Sequence, residues 1–113
     1  MVYCVKEDEV SLSGNGSDSL GIDISAGKTF TISKITFDST GAFKITDVRD
    51  SATGYHYISG SLHSTLLKNL ANANVVEIDP PIVVAGASTL VFDVIDESGA
   101  ANDVKIACMG NEE

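Results

Sequence analysis

Apolar and polar residues alternate along most of this chain, in short runs that end at Gly, Asn, Asp or Ser. Leu20, Ile22 and Ile24 mark one face of an extended segment, Leu90, Phe92 and Val94 mark another, and Val104, Ile106 and Cys108 a third. A period of two is the pattern of strands that bury one face. Between Lys28 and Asp38 the phase slips, because Phe30 and Ile32 share a face while Ile35 and Phe37 fall an odd number of residues later. A β-bulge near Ser33-Lys34 reconciles the two halves. Phe43 and Ile45 open a further strand, and Pro80-Pro81, lacking N–H groups, are excluded from a central ladder. One stretch departs from the pattern. Leu62, Leu66, Leu67 and Leu70 fall at helical spacings and predict a short helical turn near residues 62–72.

A larger pattern occurs twice. Ile24-Ser25-Ala26-Gly27-Lys28-Thr29 leads into an alternating strand, and so does Val84-Ala85-Gly86-Ala87-Ser88-Thr89. Downstream, Asp47-Val48-Arg49-Asp50-Ser51 is echoed by Asp93-Val94-Ile95-Asp96-Glu97-Ser98, at a different lag, so this is not a stacked repeat. It describes strand, tight turn, strand, made twice. With about eight short strands and Gly-rich turns, the predicted class is all-β, an antiparallel β-sandwich of jelly-roll type. The length of 113 residues and a hydrophobic content of 43% suit one domain, 1–113. Residues 1–12 are expected to form an N-terminal arm ordered by a partner.

Charge narrows the partners. A formal net charge of −9 opposes phosphate backbones and anionic membranes, so neither nucleic acid nor a membrane is expected. The N-terminus turns acidic at Glu7-Asp8-Glu9, where a signal peptide would be basic and then apolar, and the Pro80–Ala87 apolar run is short for a bilayer. The expectation is a soluble protein made in the cytoplasm. Cys4 and Cys108 are the two cysteines. They are too few for a four-cysteine zinc site, and reduced, partly buried thiols are favoured over a disulfide.

Candidate chemistry is sparse. His56 and His63 lie in no nucleophile-elbow context, and a surface role is favoured for both. Gly14-Asn15-Gly16-Ser17-Asp18 matches a single calcium β-roll repeat but lacks the stack that such repeats need, so it reads as a turn. Asp47, Asp50, Asp93 and Asp96 are the oxygen donors a calcium ion would take; near hairpin turns they read instead as acids that accept backbone N–H bonds. Tyr3, Tyr55 and Tyr57 are the aromatics available for stacking on a sugar, with Tyr55 and Tyr57 on one face if their segment is a regular strand. No catalytic residue, cofactor or required metal is expected, and the protein is read as no enzyme.

The stretch from Pro80 through Val94 to Ile106, together with Ile45 to Gly54, resembles the closing hairpins of small bacteriophage virion proteins with sandwich or jelly-roll folds. That resemblance implies a structural protein of the virion, a capsid decoration (cement) or minor capsid subunit, synthesised in the host cytoplasm. Its implied partners are the major capsid protein or other virion proteins and sister copies in a homotrimer, held by apolar and strand-edge contacts. The alternative reading is a host-surface or carbohydrate-binding module of a phage fibre or tail, with Tyr55 and Tyr57 contacting ligand.

Overall fold

A computed structural model of the chain describes residues 2–58, 60–65 and 75–113. Among the described residues there are eight strands: β1 (Val2–Leu12), β2 (Ser17–Ile24), β3 (Thr29–Ser39), β4 (Phe43–Asp50), β5 (Leu62–His63), β6 (Val75–Ala85), β7 (Ser88–Asp96) and β8 (Asn102–Glu112). They form two antiparallel sheets, ordered β1-β8-β3-β6 (sheet 1) and β2-β7-β4-β5 (sheet 2). Every connection except β4–β5 passes from one sheet to the other, which is the jelly-roll arrangement.

The alternating residues face inward as their spacing requires. Leu20, Ile22, Phe30, Ile32, Phe43, Leu90, Phe92, Val94, Val104 and Ile106 are all buried in one core. The phase slip in β3 is a register shift between Ile32 and Lys34 against both β6 and β8, so the bulge falls at Ser33. A second shift, between Ile45 and Asp47 in β4, lets Ile45 and Val48 both point inward. The three-residue step from Ile45 to Val48 was its sign in the sequence.

The duplicated Ala-Gly pattern forms two sheet-switching corners, from β2 to β3 and from β6 to β7. They meet at one end of the sandwich: Gly86 N donates to Lys28 O at 2.7 Å, and a Cβ on Gly86 would stand 1.7 Å from Ser25 O. Only glycine permits that approach.

Of the helical turn expected near 62–72, Leu62 and His63 are extended in β5, Ser64 and Thr65 are helical, and residues 66–74 lie outside the described residues. Residues 2–12 form one continuous strand whose ladder to β8 runs from Val2↔Glu112 to Leu12↔Asn102 within the single chain.

β1 is an edge strand that carries charge on its inner side. Lys6 lies 3.2 Å from Glu112 and 5.8 Å from the Phe30 ring centroid. Glu112 Oε2 is buried without a hydrogen bond of good geometry, and the Lys6 ammonium compensates its charge. Asp8 accepts the Gly21 N–H of β2 at 2.8 Å. Inward charge on β1 and Pro80-Pro81 on β6 both discourage a further strand from adding to sheet 1.

Candidate functional site

The four acids weighed as calcium ligands divide into two kinds. Asp50 and Asp96 are buried at the ends of β4 and β7, where they organise turns. Asp96 accepts the Ser98 hydroxyl at 2.6 Å, the N–H groups of Asn15, Ser98 and Gly99 at 2.8, 3.0 and 2.9 Å, and the Asn102 amide at 2.9 Å. These donors, the Ser98 hydroxyl foremost, hold its carboxyl well below the usual carboxylate range. Asp50 is lowered in the same way, chiefly by the Ser88 hydroxyl and then by the Ala52 N–H.

Asp47 and Asp93 instead lie opposite each other on the outer face of sheet 2. Arg49 reaches both, donating to Asp93 and lying 3.4 Å from Asp47, and Asp93 also accepts the Ser19 hydroxyl at 2.5 Å. His56 Nδ1 sits 2.8 Å from Asp47 Oδ1. That contact is the first cause of a lowered Asp47 pKa, while Asp93 is the first cause of a raised Arg49 pKa. Among the described residues no group of three or more His, Cys, Asp or Glu is arranged to hold a metal ion. His63 Nδ1 pairs with Glu97 Oε1 at 2.8 Å. Each histidine therefore fastens to a carboxylate, and neither bonds a Ser or Cys side chain among the described residues.

Tyr55 and Tyr57 meet edge to face, with centroids 4.9 Å apart and planes at 69°. Their segment is not a regular strand, so the shared flat face that a sugar platform needs does not form. Tyr55 is exposed, whereas Tyr57 is half-buried and turned toward the space between the sheets, where burial raises its pKa.

A third surface was marked in the sequence only by Tyr3. On the outer face of sheet 1 the register aligns Tyr3 with Asn111, Asn111 with Thr31, and Thr31 with Val83, a row that crosses all four strands. Val5, Met109 and Lys34 form the adjacent row. Tyr3 is 62% exposed, Val5 55% and Val83 56%. Farther along β1 the face becomes charged, with Glu9 3.9 Å from Lys105.

The fold is thus an eight-stranded jelly roll. No protein-family model and no curated protein matches the chain. Among solved structures, the chain is similar to the core of Drosophila NLP, at 17% identity and a TM-score of 0.43, covering 94% of this chain and 95% of that one. That structure was described for its insight into pentamer formation and histone binding. It is not a phage virion protein, and the expected virion resemblance, with its capsid partners and homotrimer, is corrected accordingly. The residues that carried the resemblance are the alternation and turns of β4, β6, β7 and β8, which any jelly roll needs. They encode strand geometry and not kinship.

Among the described residues no helix is long and apolar enough to cross a membrane.

Proposed function

We propose that this protein is a non-enzymatic binding domain that acts by adhesion, and that its working surface is the outer face of sheet 1. The observation that carries this reading is the row from Tyr3 to Val83, apolar at both ends and open to solvent, on a sheet whose two edges resist strand addition. A partner would therefore dock face-on, against side chains. Tyrosine suits that task because its ring offers a large contact area at little conformational cost, with a hydroxyl for the wet rim. The histidines, fastened to Asp47 and Glu97, support a reading without turnover, since among the described residues neither is aligned with a nucleophile.

Site-specific photo-crosslinking in the producing cell tests this. A benzophenone amino acid in place of Tyr3 is expected to give a discrete protein adduct, and the same group in place of Tyr55, exposed on another surface, is expected to give none. Adducts from position 55 alone, or none from position 3, would overturn the assignment.

A further inference from the structure

The two sheets are both interrupted along the same side of the sandwich. In sheet 2, β5 pairs with β4 only at Lys44↔His63 and Ile45↔Leu62, and the chain rejoins β4 through the Arg49↔His56 bridge and the Tyr57 N to Val48 O bond of 2.7 Å. Between these points no ladder to β4 is present among the described residues. In sheet 1 the β3–β6 ladder likewise breaks between Ile32↔Ile82 and Lys34↔Glu77, so Ile78 and Pro80 stand outside the pairing. The gaps face each other across a cavity of about 380 Å³.

The lining comes from both sheets and from the β4–β5 connection. Ile35, Val76 and Ile82 form one wall, Ile45 and Leu62 the other, and Phe92 contributes from β7. No charged side chain lines it among the described residues, and Tyr57 is the one polar side chain in that lining. Apolar walls held apart forfeit packing contacts, and an apolar group that displaces poorly ordered water between them gains affinity. This cavity lies within the ~300–1,000 Å³ range of small-molecule sites, which are mostly apolar with a few placed polar groups.

We propose that the cavity between the sheets is a binding site for an uncharged, apolar small molecule carrying one hydrogen-bond acceptor, which the Tyr57 hydroxyl orients. The hydrocarbon part replaces contacts that the facing walls do not make with each other. The acceptor satisfies the phenol. A carboxylate or ammonium is disfavoured, because among the described residues no opposite charge in the lining would compensate its desolvation. Ile82 of the lining and Val83 of the Tyr3–Val83 row are consecutive in β6 and point to opposite faces, so this site and the adhesive face are separable by substitution.

Fluorescence titration with the uncharged dye N-phenyl-1-naphthylamine tests the site, with competition by 1-decanol and by decanoate. The intact chain is expected to bind the dye saturably with one site, and 1-decanol is expected to displace it while decanoate does not. Filling the cavity with Val76→Trp is expected to weaken dye binding by at least about tenfold, a difference easily resolved in a titration. Ile82→Phe provides a second filling variant should the tryptophan prevent folding, and thermal melting checks each. Tyr57→Phe should weaken 1-decanol by about three- to tenfold, as loss of one hydrogen bond requires, and leave the dye nearly unaffected. Tyr3→Ser should change neither. Absence of saturable binding, equal competition by decanoate, or dye binding unchanged in both folded filling variants would each overturn the proposal.

Discussion

Asp47 and Asp93 stand directly opposite each other across the β4–β7 ladder, two carboxylates joined through the guanidinium of Arg49. Like charges facing each other across strands repel. Replacing the arginine by an apolar residue of similar length, Arg49→Met, should therefore lower the melting temperature by several degrees at low salt and by less at high salt, where the repulsion is screened. Adding Asp93→Asn should recover most of the loss. An equal loss at both ionic strengths would assign the role of Arg49 to its packed stem instead.

Acid should weaken the fold through Asp50 and Asp96. Both carboxyls are held below the usual carboxylate range in the folded chain, chiefly by the hydroxyls of Ser88 and Ser98. A depressed pKa contributes stability that is fully present above the unfolded value and is lost as pH falls below it toward the folded value. The urea midpoint should accordingly drop between about pH 5 and pH 2. Asp96→Asn should be less stable near neutrality and show a flatter decline toward acid. A parallel offset at every pH would mean that the charge on Asp96 is not what stabilises the turn.

Gly110 should not tolerate a methyl group. A Cβ there would lie 1.8 Å from Thr31 O, where β8 passes the bulge in β3. Gly110→Ala is expected to cost more than about 3 kcal/mol, because relief requires separating two central strands of sheet 1. Gly21→Ala meets only the Thr89 methyl at 3.0 Å and should cost much less. Urea titrations of the two variants make the comparison.

Phe92 and Val91 test the two faces of β7. Phe92 is 2% exposed and faces the core, so Phe92→Ala should cost about 3–5 kcal/mol. Val91 lies half-buried on the outer face of sheet 2, paired with Gly21 and Arg49, and Val91→Thr should be mild. A greater loss from Val91→Thr, with a midpoint that depends on protein concentration, would identify sheet 2 as a subunit interface.

The thiols should differ in reactivity. Cys108 is fully buried, and burial pushes its pKa up to about 12, so very little thiolate is present at neutral pH. Cys4 is half-buried near the end of β1. A disulfide reagent should modify Cys4 first in the folded chain and reach Cys108 only on unfolding. Prompt modification of Cys108 under native conditions would contradict its placement in the core.

Much of this architecture was legible in the residues alone, because a strand that buries one face must alternate, whatever its neighbours are. Alternation identified Leu20, Phe30, Phe92 and Ile106 as inward-facing, and the slipped phase located the bulge at Ser33. Proline excluded residues 80 and 81 from a central strand, and they lie on the edge strand β6. These features follow from local geometry, and local geometry is written in consecutive side chains.

Strand partners are not local, and only the tertiary structure chose them. Tyr3-Cys4-Val5 is apolar throughout, so its pattern does not say which face turns inward. Cys4 turns in and Tyr3 and Val5 turn out because Lys6 and Asp8, on the inner side, find Glu112 and the Gly21 N–H. The meeting of the Ala-Gly corners, the opposition of Asp47 to Asp93 and the facing gaps around the cavity arise in the same way. Each depends on which strands lie side by side, and that order is decided by the packing of the whole sandwich, which no window of sequence contains.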